Sequence, residues 1–154
     1  MDGSINVIAG TAIYGAAKVL GYSWWCHVGL ARLRTDLPPE QRTPLAIKLG
    51  LIRLGIGFVV GIPMALVFGL IASITWFFPP LGYLLTYVPV RWFEWGIMIW
   101  LIDPPARSMR QLLRSCSPAE RRWRLQGIVV SCLLDIVFFL CVALGLQGMG
   151  RVFC

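Results

Sequence analysis

Four ionisable residues stand where the surrounding chain offers them no water. Lys18 lies in an apolar run from Ile5 to Leu30, Arg91 and Glu94 in a run from Leu81 to Ile102, and Asp135 in a run from Leu125 to Met149. An isolated charge at the centre of a bilayer costs about 2.5–3.5 kcal/mol on insertion scales. Set on helices that rise 1.5 Å per residue, all four lie roughly 13–20 Å from the nearest cytoplasmic charge or helix stop. That is the middle of a hydrocarbon layer about 30 Å thick. Two cations meet two anions at one depth, so the spacing predicts a neutral intramembrane charge cluster. Arg91 and Glu94, three apart on one helix, form one expected pair. Lys18 and Asp135 form the other, between the first and fourth helices, and exchange of partners is open. Two chemistries fit such a cluster. It can lock which helix faces which, or it can relay protons or ions or hold a polar ligand. The lock is the simpler of the two.

Other reactive residues are sparse. His27 is the single histidine, and with Cys26 it supplies fewer ligands than a metal site needs. No metal and no cofactor is expected. The five cysteines show no C-x-x-C and no paired spacing, which fits small apolar residues or free thiols. No G-x-S-x-G, H-E-x-x-H or P-loop occurs, and the chain is not expected to be an enzyme. A small membrane enzyme acting on lipid or thiol substrates is the weakest of the functional classes.

The elements that must carry the charges follow from composition. The chain has 154 residues, 58% hydrophobic and 14% charged, against about a quarter charged in an ordinary soluble domain. Mean hydropathy is +0.75. Residues 54–78 run for 25 positions without a charge, and a spanning helix needs about 20. The expected fold is all-α: an integral membrane four-helix bundle of two helical hairpins in a single domain, 1–154. Its spans are 5–30, 45–78, 81–102 and 122–149, and its cytoplasmic loops are 31–44 and 103–121. Thr43 and Pro44 suit the start of the second helix, as cap and first helical residue. Asp103-Pro104-Pro105 stops the third. Ser117, Pro118 and Glu120 spell a capping box for the fourth. Pro63 and Pro89 fall inside spans and are expected to kink them. No basic residue precedes the first apolar run, so a cleavable signal is not expected.

The net charge of +7 is placed as a membrane would place it, not as nucleic acid would require. Eleven of the fourteen basic residues fall in two segments: Arg32, Arg34, Arg42, Lys48 and Arg53, then Arg107, Arg110, Arg114, Arg121, Arg122 and Arg124. Basic segments flanking apolar runs mark the cytoplasmic side. Both termini therefore belong on the other side. Arg107, Arg110 and Arg114 recur at helical spacing and are expected to touch lipid headgroups. Arginine outnumbers lysine twelve to two, a bias that fits a GC-rich bacterium and so a bacterial inner membrane.

One packing signal is long. Gly57, Gly61, Ala65, Gly69 and Ser73 recur every four residues on the second helix, and residues four apart share a face. Such a face lets helices approach closely, within the chain or against a partner. Gly127, Ser131 and Asp135 form a shorter one. Trp24, Trp25, Trp76, Trp92 and Trp95 fit interface anchors. Small size, a small-residue face and no catalytic set point to protein–protein binding within the membrane, as an accessory subunit or an immunity protein against a membrane-targeted effector. The partners expected are the lipid bilayer and another membrane protein, or a second copy. The alternative is a small oligomeric ion- or proton-coupled transporter or channel subunit that uses the intramembrane charges.

Overall fold

Prolines open three of the four helices described. The computed structural model describes residues 2–75, 77–102 and 117–144. Among these, α1 is Asp2–Leu33, α2 Pro39–Ile74, α3 Pro79–Ile102 and α4 Pro118–Ala143, with no strand. Proline in the first turn forfeits no intrahelical bond and arrives with helical φ. At α4 the capping box closes both ways. The Ser117 N–H donates to Glu120 Oε2 at 2.9 Å, and the Glu120 N–H donates to Ser117 Oγ at 3.2 Å.

The second helix starts at Pro39, with Pro38 as its cap, and not at Thr43-Pro44. Pro44, the sixth residue of the helix, leaves the Glu40 carbonyl without its helical donor, and Glu40 is exposed, so solvent can satisfy that carbonyl. α2 ends at Ile74, where the Thr75 N–H and hydroxyl both donate to the Ile71 carbonyl at 2.9 Å. Pro63 and Pro89 lie within α2 and α3 without ending either helix.

α1 and α3 each pack against both α2 and α4, and barely touch each other. One close crossing lies off the predicted glycine stripe. A Cβ on Gly50 of α2 would meet the Ser23 backbone nitrogen of α1 at 2.7 Å, so the two backbones nearly touch there. Of the stripe itself, Gly57 and Gly61 are buried, Gly69 and Ser73 are exposed, and the Ala65 side chain lies outside the described set. A Cβ on Gly69 would meet nothing within 4 Å. Half of the stripe thus packs inside the chain and half faces outward.

Four other glycines act as sockets. A Cβ on Gly29 would strike the Trp123 ring at 2.7 Å, on Gly127 the Trp95 ring at 2.8 Å, on Gly21 the Leu134 methyls at 2.7 Å, and on Gly96 the Arg124 guanidinium at 2.5 Å. Trp25, Trp95 and Trp123 form the aromatic centre of the core, with Trp25 stacked on Trp123 and Trp95 edge-on to it. Trp25 and Trp95 are therefore buried and do not act as interface anchors, whereas Trp24 is exposed as expected. Trp76 lies outside the described residues.

The surface is apolar and the interior is charged. Leu20, Val59, Leu66, Leu70 and Ile74 are each about 70% exposed, while Lys18, Arg53, Arg91, Glu94 and Arg124 are at most 2% exposed. Pro39–Met64 and Pro118–Cys141 are long and apolar enough to cross a membrane by length and composition.

Candidate functional site

Each helix brings one four-residue register to the centre. α1 contributes Tyr14, Lys18 and Tyr22, and α2 contributes Leu49, Arg53 and Gly57. α3 contributes Tyr83, Tyr87, Arg91 and Trp95, and α4 contributes Gly127, Ser131 and Asp135. Positions four apart stack along one side of a helix, so each run delivers polar atoms to the shared interior.

Asp135 is the hub. Its Oδ1 accepts from the Tyr14 hydroxyl at 2.7 Å and pairs with Lys18 Nζ at 3.2 Å. Its Oδ2 accepts from the Tyr83 hydroxyl at 2.7 Å and pairs with Arg91 Nη2. A carboxylate offers about four lone-pair positions, and here two phenols and two cations fill them. Arg91 also donates from Nη1 to Cys132 Sγ at 2.8 Å. The rings of Tyr83 and Tyr87 lie 5.4 and 5.7 Å from its guanidinium, and the Tyr14 ring lies 4.6 Å from Lys18 Nζ. Electron-rich ring faces stabilise such cations where water is absent.

A second pair sits beside the hub. Arg53 Nη2 donates to Glu94 Oε2 at 2.5 Å, and its guanidinium lies 4.9 Å from the Tyr22 ring and 5.3 Å from the Trp95 ring. The Trp95 indole donates to Ser131 Oγ at 3.1 Å. Arg53 Nε and Nη1 and Glu94 Oε1 are buried without a hydrogen-bond partner among the described residues. An open apolar groove of about 320 Å³, lined by Val60, Pro89, Val90, Phe93, Glu94 and Ile97, runs along this side of α3.

The pairing differs from the expected one in two ways. Lys18 does meet Asp135. Arg91, however, joins the same carboxylate and does not pair with Glu94. Three positions on an α-helix leave the two side chains about 60° apart. α3 lies against both α2 and α4, so Arg91 reaches α4 while Glu94 reaches α2. Among the described residues the network is also not neutral. Lys18, Arg53 and Arg91 face Glu94 and Asp135, three positive groups against two negative.

Arg53 and Arg124 belong to the apparent basic segments by sequence, yet both are buried. Arg124 donates to the Trp92 carbonyl at 2.7 Å and lies 4.2 Å from the Trp92 ring. The signal for Arg53 was available. It sits one four-residue step before Gly57 and Gly61 and continues their face. Tyr14 and Tyr83 were also missed, though Tyr14 stands four before Lys18 and Tyr83 eight before Arg91. Arg107, Arg110 and Arg114 lie outside the described residues.

The turn between α1 and α2 is held by charge. Arg34 donates to both oxygens of Asp36, each at 2.8 Å, and from Nη1 to the Ile102 carbonyl at 3.0 Å. The last bond satisfies a carbonyl that the end of α3 would leave orphaned. The hydrogen bonds from Arg34 hold the Asp36 carboxyl below the usual carboxylate range. Among the described residues no group of three or more His, Cys, Asp or Glu is placed to hold a metal ion. No known protein family, no curated protein and no solved structure matches the chain.

Proposed function

We propose that this chain is a multi-pass integral membrane protein of the bacterial inner membrane and acts by binding another membrane protein. In this arrangement α1 to α4 are the four spans of a bundle. The connectors 31–44 and 103–121 are cytoplasmic, and the Asp2 and Ala143 ends lie on the opposite side. The inversion of polarity supports the membrane location: charges sit among the helices and aliphatic side chains cover the outside. Water-soluble proteins almost never bury Lys, Arg, Asp and Glu in such numbers. Within a bilayer, the ionisable residues of spanning helices face the bundle interior and pair with one another.

The observation that carries the binding role is the outward half of the α2 stripe. Gly69 and Ser73 are exposed, and Ile62, Leu66, Leu70 and Ile74 stand around them on the outer turns of α2. Small residues on a lipid-facing helix let a second helix approach to backbone contact. The saturation of Asp135 supports binding over ion-coupled transport, because its oxygens have no open position for a coupling ion.

The test is site-specific photo-cross-linking in native membranes, from Leu66 or Leu70 and, as a control, from Val129 on α4. A protein adduct from the α2 positions and none from Val129 is expected. Gly69→Leu should abolish the adduct without unfolding the protein, since nothing lies within 4 Å of the new Cβ. Lipid adducts alone at every position would refute the proposal. Cysteine labelling that finds residue 36 and a residue in 107–114 on different sides would refute the orientation.

A further inference from the structure

A second polar concavity lies away from the ion network, where the end of α1 meets the first two turns of α4. It has a volume of about 340 Å³ and is lined by Arg32, Leu33, Ala119, Arg122, Trp123 and Gln126. Its two walls come from helix termini of opposite polarity. α4 presents its N-terminal end, where the partial positive charge of the helix dipole gathers. Arg32 and Arg122 bring two guanidinium groups to one opening from different helices. Neither forms an ion pair with a carboxylate among the described residues. The one side-chain bond described for Arg32 is long, 3.4 Å from Nη1 to Gln126 Oε1. Arg32 and Arg122 are exposed and need no internal partner, so both forks are available to a ligand.

The floor is rigid. Trp123 is 1% exposed, seated over Gly29, stacked on Trp25 and met edge-on by Trp95. The capping box of Ser117 and Glu120 fixes the backbone from which Arg122 projects. Two planar cationic forks and a side-chain amide form a donor set suited to a phosphate group. Carboxylates accept from the same donors, but phosphate offers more oxygens to two guanidinium groups at once.

We propose that this concavity is a binding site for a single phosphate group, carried as the headgroup of an anionic phospholipid or present as a free phosphate anion. The pocket lies at the end of α1 and the start of α4, the level at which headgroups sit in the orientation proposed above. The phosphate chemistry itself does not depend on the partner-binding role of α2.

Native mass spectrometry of the detergent-purified full chain tests it. The probes are phosphatidylglycerol, phosphatidylcholine and inorganic phosphate, each titrated against wild type, Arg32→Gln, Arg122→Gln and the double variant. Arg121→Gln, outside the pocket, is the control. Retention of one phosphatidylglycerol in preference to phosphatidylcholine is expected if the source is lipid. Saturable binding of inorganic phosphate, with no preference between the lipids, would assign a free anion. In either case each pocket arginine removed should weaken binding about tenfold or more, the loss of a charge-assisted hydrogen bond. Arg121→Gln should change it little. Both pocket arginines are exposed, so far-UV circular dichroism of the variants should match wild type. Binding that survives the double variant, or falls equally with Arg121→Gln, or absent for all three probes, would overturn the proposal.

Discussion

Replacing Asp135 with asparagine should separate a charge lock from a mere polar contact. The amide keeps the shape of the carboxylate: its oxygen can still accept from one of Tyr14 and Tyr83, and its NH2 can donate to the other phenol oxygen. It removes the anion that pairs with both Lys18 and Arg91. The network would then hold three cations against Glu94 alone. Removing one partner of a buried pair costs about 3–5 kcal/mol, because the other charge is left uncompensated. Here two charges are left, so the loss should reach the upper part of that range. At 1.36 kcal/mol per factor of ten this is roughly a thousandfold in the unfolding equilibrium. Lys18→Met should behave oppositely. Asp135 keeps Arg91 and both phenols, and the network becomes two cations against two anions. A buried ion replaced by an apolar side chain of similar length is often neutral or stabilising, and a change within about 1 kcal/mol is expected. The double variant leaves only Arg91 unpaired and should be more stable than Asp135→Asn alone. Unfolding of each protein in mild detergent by added dodecyl sulfate, followed by far-UV circular dichroism and tryptophan fluorescence, measures the three differences. Equal losses for Lys18→Met and Asp135→Asn would refute the uneven charge count, and an Asp135→Asn loss below about 1 kcal/mol would refute the hub.

Gly50→Val should push α1 and α2 apart at Ser23 and lower stability by about 1–3 kcal/mol in the same assay, because the clash is with backbone that cannot rotate away. Gly69→Leu should leave the unfolding midpoint within error of wild type. Glu120→Ala should cost about 1 kcal/mol through loss of the reciprocal cap on α4. Asp36, whose carboxyl is depressed by Arg34, contributes stability above its unfolded pKa, and that contribution is lost as pH falls through the folded value. Carboxyl-carbon NMR of aspartate-labelled protein should show Asp36 titrating below the ordinary range, and Arg34→Gln should return it upward.

Much of this was legible in the residues, and the failures have a common cause. Ser117 to Glu120 announced the start of α4 because a capping box is a local device and needs no knowledge of the fold. The four charges within apolar runs were legible because apolar surroundings make any charge conspicuous. Arg53 was not, since Lys48 and Arg42 nearby disguised it as one more loop cation. Its helix begins at Pro39, five residues earlier than the Thr43 cap suggests, which carries Arg53 about 20 Å along the axis. The partner of each charge was legible only in part. Lys18 and Asp135 had complementary depth and sign. Whether Arg91 would turn toward α4 or remain with Glu94 depends on where α3 sits between its neighbours, and no spacing along one helix encodes that.

The glycine sockets bear on what the molecule can do mechanically. Trp123 from α4 is seated in α1, and Trp95 from α3 is seated in α4. Each ring is wider than the rise between adjacent turns. Axial travel of α4 past either neighbour would therefore lift an indole over a ridge of side chains before it found another hollow. Neutralising the charges would not free that motion, since the notches are steric. A carrier that alternates by sliding or rocking its helices would have to leave these notches in every cycle. A scaffold that presents one fixed face to a companion never would.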